Sequence, residues 1–259
     1  MHKKNAKRRL EVVFIPALFF IGLLLVVEAI VFLLNIPEYL FPRPTRVFLD
    51  IISSFNSLMW HTSITMAEAV AGYIVGNILG FVTAVIFAHY KTIERGFYPY
   101  AIALKTTPII AIAPLLVLWF GTDVGSKIAA SAIICFFPIL VNTVKGLKNI
   151  DDVALDLFRS LSATRWHIFT KLRLPNALPY IFSALRISTG LAVVGAIVGE
   201  FVGANKGIGY VILISTYHLE TVRMFAAISM VAFGGVLFFL LVSFIEKKVL
   251  FWQKSQSPD

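Results

Sequence analysis

Met224-Phe225-Ala226-Ala227-Ile228-Ser229-Met230-Val231-Ala232-Phe233-Gly234-Gly235-Val236-Leu237-Phe238-Phe239-Leu240-Leu241-Val242-Ser243-Phe244-Ile245 is a run of 22 residues without one charge. As a helix it reaches ~33 Å, enough for the hydrocarbon core of a bilayer. The rest of the chain has the same character. Of its 259 residues, 58% are hydrophobic and only 14% charged, and the mean hydropathy is +0.85. Soluble domains carry about 25% charged residues. This composition excludes a disordered chain and argues against a soluble enzyme.

Five further segments read as spans: residues 12–34, 64–89, 97–120, 127–144 and 178–201. Each is near the ~20 mostly apolar residues that a spanning helix requires. The first follows the basic cluster Lys3, Lys4, Lys7, Arg8 and Arg9. Its apolar stretch is long for a signal peptide and no small-x-small site follows, so it reads as a retained first helix. The expected fold is all-α and polytopic, with six transmembrane helices. A five-helix core over 64–245 carries a long loop at 145–177 between spans four and five.

The net charge of +9 would suggest nucleic acid in a soluble protein. Here its distribution reports orientation. Residues 1–11, 89–96, 145–177 and 246–259 hold 16 of the 23 Lys and Arg, whereas 35–63, 121–127 and 202–223 hold five. The positive-inside rule places both termini in the cytoplasm of a multi-pass protein in the plasma or inner membrane. The basic balance therefore gives no support to a nucleic-acid partner; lipid is the expected surrounding. Cys135 is the only cysteine, which excludes an intrachain disulfide and any cysteine-based metal cluster; no metal site is expected.

Within the spans, Gly72, Gly76 and Gly80, and again Gly195 and Gly199 followed by Gly203, repeat every four residues. Such stripes let helix backbones approach closely. Span three holds Pro99, Pro108 and Pro114, with Thr106 and Thr107 beside the second. Irregular backbone at membrane depth survives where protein or a water-filled cavity surrounds it, so Lys105, Thr106, Thr107 and Pro108 are candidates to line a pathway. A kink serving packing alone is the other reading. Lys105 and Arg186 sit within spans, where they either snorkel or pair, or else meet an anionic solute. Glu28, Glu68 and Glu200 fall toward the outer ends of their spans. Arg43, Arg46 and Arg223 are their candidate ion partners, and Glu200 joins the pathway candidates.

The loop from 151 to 175 does not fit a plain bundle. Val153, Leu157 and Leu161 repeat every four residues, with Ala154 and Phe158 alongside, which makes one helical stripe. Thr164 is a candidate N-cap for a second short helix bearing Trp166, Phe169 and Leu172, ended by Pro175. The pair either lies on the bilayer or docks a cytoplasmic protein.

Residues 156–175 resemble the cytoplasmic signature loop of permease subunits of binding-protein-dependent ABC importers. That signature reads Glu-Ala-Ala, three residues, Gly, about nine residues, then Ile-x-Leu-Pro. Asp156 takes the acidic position, Leu157 and Phe158 the two alanine positions, Arg159-Ser160-Leu161 the spacer, and Leu172-x-Leu174-Pro175 the close. Ser162 replaces the glycine. If that position is left-handed, a side chain there costs about 1–2 kcal/mol. Leu40-Phe41-Pro42-Arg43-Pro44, the stretch 108–115, Trp119-Phe120-Gly121, Phe136-Phe137-Pro138-Ile139 and the stretch 203–210 are similar to the nitrate/sulfonate/bicarbonate (taurine-type) branch.

The resemblance implies the type I importer permease fold. It also implies a second, identical permease subunit, ABC ATPase subunits docked on the signature loop, and an external solute-binding protein. Asp156, Leu157, Phe158, Arg159, Leu161, Ser162 and Pro175 become the ATPase-coupling residues. The chain has no phosphate loop of its own, since Gly121 to Lys127 has the wrong spacing. ATP and Mg would therefore be used by the partner, and this chain would be neither a catalyst nor the holder of a cofactor. The solute would be a small anion such as a sulfonate, nitrate or bicarbonate, or a vitamin-precursor type molecule. An ion-gradient-driven secondary transporter or a channel is the competing class; the first would show internal repeats and a mid-membrane ionisable relay.

Overall fold

The computed structural model describes residues 2–252, with side chains described from Phe14 onward. The basic side chains before Phe14 and residues 253–259 of the expected C-terminal tail lie outside that range. Every regular element among the described residues is helical. In chain order these are α1 (His2–Leu33), α2 (Pro44–Ser53), α3 (Phe55–His89), α4 (Lys91–Thr106), α5 (Ile109–Phe120), α6 (Val124–Lys148), α7 (Asp152–Ser160), α8 (Arg165–Ile168), α9 (Leu174–Phe201), α10 (Ile208–Tyr217) and α11 (Thr221–Val249). Five stretches are long and apolar enough to cross a membrane: the Phe14–Leu33 part of α1, α3, α6, the Arg165–Phe201 helix ending in α9, and α11. The pair α4 and α5 supplies the sixth span when counted as one broken helix.

Span three is where local chemistry overrides a straight reading. It is two helices bent by 100°, not one kinked rod. Pro99 and Pro114 lie inside α4 and α5 without ending them. The break is at Thr107-Pro108, where both residues are extended (ψ 121 and 125). A proline disfavours the helical region for the residue before it, and Thr107 yields.

Pro175 is a second correction. It does not end a short helix but falls in the first turn of α9. α8 runs through a π-helical turn, Phe169–Arg173, straight into α9. In this wide turn the Leu174 amide donates to the Phe169 carbonyl, an i→i+5 bond that shifts the hydrogen-bond register just before Pro175. Residues 202–223, between spans five and six, contain the apolar helix α10.

The chain divides into two compact units, Met1–Met59 with Val211–Met230, and Trp60–Tyr210 with Val231–Asp259. In the first, Pro44 opens α2 at the position where a missing N–H costs nothing. The Glu28 carboxylate accepts the Thr45 amide (3.0 Å) and hydroxyl (2.7 Å), fixing the turn between α1 and α2. Arg223 pairs with Asp50 at 3.4 Å, and the Thr221 hydroxyl donates to the Tyr39 carbonyl at 2.6 Å.

In the second unit α6 is the central rod. Gly72, Gly76 and Gly80 of α3 lie on one of its flanks, against Ser131, Ala132 and Phe136. Gly195 and Gly199 of α9 lie on the other, against Ser131 and Lys127. The glycine stripes are thus helix–helix contacts, as their spacing implies. The Ser131 hydroxyl donates to the Ala192 carbonyl at 2.7 Å across the closest approach.

Candidate coupling and translocation sites

α7 forms where the sequence places an acidic cap before an amphipathic turn. The Asp151 side chain accepts the Val153 amide at 3.3 Å. Val153, Leu157 and Leu161 form an apolar stripe that is 76%, 58% and 72% exposed, while Phe158 is half-buried. Asp156 and Arg159 pair at 3.1 Å on the surface. The helix ends in a Schellman motif: the Ser162 amide donates to the Arg159 carbonyl and the Ala163 amide to the Phe158 carbonyl. Ser162 there has φ +55, the left-handed region that glycine normally fills. Thr164 then caps α8, accepting the His167 amide at 3.3 Å.

The base under this loop is firmly tied. The Asn176 amide donates to the carbonyls of Gly146 (3.1 Å) and Asn149 (2.5 Å), joining the start of α9 to the end of α6. Lys148 pairs with Glu94 of α4 at 2.5 Å. Leu147, Phe169, Ala177 and Ile181 form a buried core directly beneath. These contacts join α6, α9 and α4 to one another beside the loop.

The α4–α5 break opens a cavity of about 320 Å3. Lys105, Thr106, Thr107 and Pro108 all line it, with Phe137 and Leu191 on the opposite walls. The Lys105 ammonium lies 4.7 Å from the Phe137 ring centroid, a cation–π contact. The hydroxyls of Thr106 and Thr107 both donate to the Ala103 carbonyl at 2.9 Å, which also accepts the Thr107 amide at 3.1 Å.

Two of the sequence-derived pathway residues do not join this cavity. Arg186 pairs with Glu246 of α11 at 3.2 Å, so it is a structural partner rather than a neighbour of Lys105. Glu200 lies in a separate buried cluster. Its carboxylate accepts the Thr65 hydroxyl (2.6 Å) and the Gly209 amide (2.5 Å). The Ile208 amide donates to Thr65 Oγ1 at 2.7 Å and the Gly207 amide to His61 Nδ1 at 3.1 Å. Three successive amides at the start of α10 are thus received by side chains of α3 and α9. Glu68 and Lys127 complete the cluster, and both are buried. Among the described residues no arginine forms an ion pair with Glu28 or Glu200; Thr45 and Thr65 hydrogen-bond them, while Arg43 acts on Glu28 from longer range. His61, Thr65 and Lys127 were not singled out from sequence. The signal was present as Thr65 and Glu68 on one helix face and as the glycine-rich approach to α10.

Comparison with known proteins gives a consistent result. The family described as "Binding-protein-dependent transport system inner membrane component" matches residues 76–251. The formylaminopyrimidine transport permease protein ThiX of Halalkalibacterium halodurans is 36% identical over 93% of this chain and 96% of its own length. The taurine transport system permease protein TauC of Escherichia coli is 25% identical over 76% and 72%. Among solved structures, the inward-facing MetNI methionine ABC transporter aligns with TM-score 0.67 over 76% of this chain and 98% of that one, at 19% identity. That likeness concerns the fold.

Proposed function

The chain belongs to the family of binding-protein-dependent transport system inner membrane components, and we propose that it lines the solute pathway of an ATP-driven importer and couples to ATPase subunits through residues 151–175. Members of this family are non-catalytic permease subunits of ABC importers, and the fold is that of the type I importer permeases. ATP and Mg are then the business of the partner. Two copies of this chain face one another, and an external binding protein delivers solute to the face opposite α7. The bias of Lys and Arg supports cytoplasmic termini and puts α7 on the cytoplasmic side.

The observation that carries the coupling role is the exposed Val153, Leu157 and Leu161 stripe on a base tied to α6 and α9. A short helix that exposes this much apolar surface calls for a protein groove or a bilayer. The firm base favours a lever: closure of the ATPase subunits moves α7, and the bundle shifts between two packings. Asp156 and Arg159 at its edge set register more than affinity. Ser162 holds the turn, and Pro175 starts the span that carries the motion onward.

Lys105, Thr106, Thr107 and Pro108 form the pathway constriction, and Lys105 supplies its positive charge. The names of TauC and ThiX give two solute chemistries, a sulfonate and a pyrimidine-type precursor. A lysine-lined cavity favours the anion. Replacing Phe158 or Leu161 by Asp tests the coupling role. Transport and co-purification of the ATPase are expected to fall together; normal values of both overturn the assignment.

A further inference from the structure

A second cavity of about 500 Å3 lies under the loop, away from the apolar stripe of α7, and its lining is cationic. Arg159, Arg165 and Arg173 face it together with His89, while Phe169 and Leu155 provide apolar wall. Charge balance there is incomplete. Of these three arginines Arg159 has a carboxylate partner, Asp156; Arg165 and Arg173 form no ion pair among the described residues. Arg173 is only half-exposed, so its charge is partly withdrawn from water without a counter-ion. No carboxylate lines the cavity.

Its position suits a membrane surface. His89 is the last residue of α3, and Arg173 lies in the N-terminal part of the Arg165–Phe201 helix, so the cavity is lined from the end regions of two candidate spans. Trp166 stands beside it, 70% exposed and stacked on Phe169 at 5.8 Å. Exposed tryptophan at the end of a span favours the headgroup layer. Phe169 and Arg173 are the first and last residues of the π-helical turn, four apart and so on one face, and such turns recur at functional sites. The His89 ring packs on Phe169 at 5.2 Å, and its Nδ1 lies 2.8 Å from the Val85 carbonyl.

We propose that this cavity binds the phosphodiester headgroup of an anionic phospholipid. Guanidinium groups receive phosphate oxygens bidentately, and basic pockets at the ends of spans are the kind of site that retains anionic lipid. The apolar wall of Phe169 and Leu155 suits the start of an acyl chain, which a free phosphate lacks. Arg159 is shared with the coupling surface, so a bound headgroup would steady the loop from beneath. The assignment is independent of which leaflet the cavity meets and of the solute carried.

The test uses the chain purified with its cognate subunits and reconstituted with equal phosphatidylglycerol and phosphatidylcholine. Retained lipid is counted by native mass spectrometry. Phosphatidylglycerol is expected to be retained at least severalfold over phosphatidylcholine, and the paired change Arg165→Gln with Arg173→Gln should abolish that preference. Arg46→Gln, far along the sequence in the other compact unit, should leave it intact. In the unaltered complex, added phosphatidylglycerol should raise the melting temperature more than phosphatidylcholine does, a readout that requires no variant to fold. Equal retention of the two lipids overturns the proposal, as does unchanged preference in the paired variant. Inorganic phosphate that protects the unaltered protein as well as phosphatidylglycerol does would assign the cavity to a free anion instead. Loss of ATPase subunits with unchanged lipid retention would assign it to a protein partner.

Discussion

Glu200 Oε2 accepts the backbone amide of Gly209 at 2.5 Å, while the other oxygen of the same carboxylate receives the Thr65 hydroxyl. One side chain at the end of α9 thereby holds both α3 and the start of α10. Replacing Glu200 by Ala strands the buried Gly209 amide and leaves the Thr65 hydroxyl only the His61 carbonyl at 3.2 Å, and an unsatisfied buried donor costs about 1–3 kcal/mol. We expect a loss of that order in thermal or denaturant unfolding, with Glu200→Gln milder because one acceptor oxygen survives. Equal stability of Glu200→Ala and the parent would contradict this role.

The glycine stripes differ in what a side chain would meet. A Cβ on Gly195 would lie 2.6 Å from the Ser131 Cα, which is backbone and cannot swing away. A Cβ on Gly190, on the same helix, meets nothing within 4 Å. Gly195→Ala should therefore destabilise by about 1–3 kcal/mol through overpacking. Gly190→Ala should be neutral or stabilise the helix by up to about 1 kcal/mol. Parallel unfolding curves of the two variants check the contrast.

The legible parts of this molecule are those written in periodicity. The glycine faces, the α7 stripe and the Thr164 cap each depend on residues three or four apart and are where the sequence puts them; the spans are read from apolar runs, and all but the third fall in single long apolar helices. The misread parts depend on a contact far along the chain or on which of several prolines prevails. Pro99, Pro108 and Pro114 look alike in sequence, yet only Pro108 follows a residue that leaves the helix. Pro175 reads as a stop until the π-helical turn before it is known. Glu200 meets Thr65 across 135 residues, and no local pattern announces that pairing. α10 was hidden because a ten-residue apolar helix is too short for a span.

Ser162 occupies a left-handed position, φ +55, at the end of α7. Left-handed backbone costs a residue with a Cβ about 1–2 kcal/mol, and glycine escapes that at some cost in chain entropy. Ser162→Gly should stabilise the α7 turn by about 1 kcal/mol. Slower amide hydrogen exchange at Ser162 and Ala163 is the direct measurement. Faster exchange would show that the serine side chain, not backbone strain, governs the turn.

Arg186 and Glu246 join α9 to α11 at 3.2 Å, with the carboxylate mostly shielded and the guanidinium about two-fifths exposed. Partial exposure limits such a pair to about 1 kcal/mol. Arg186→Gln and Glu246→Gln should each cost about that much, and the double variant should cost less than the two together. A double-mutant cycle with no coupling would return Arg186 to the set of free charges that could meet a solute.

Lys105 is the remaining cation in that set, and its neighbour Phe137 makes the prediction specific. If the α4–α5 break lies on the solute path, removing the charge weakens attraction for an anion without disturbing the fold, because the ammonium is exposed and unpaired by any carboxylate among the described residues. Lys105→Gln should lower the transport rate of an anionic solute severalfold in proteoliposomes with normal ATPase assembly, and Lys105→Glu should lower it further by like-charge repulsion. Phe137→Leu should act in the same direction but more weakly, since a cation–π contact at an exposed site contributes only about 0.5–1 kcal/mol. Unchanged transport in Lys105→Glu would remove this cavity from the pathway and leave the break as a packing feature.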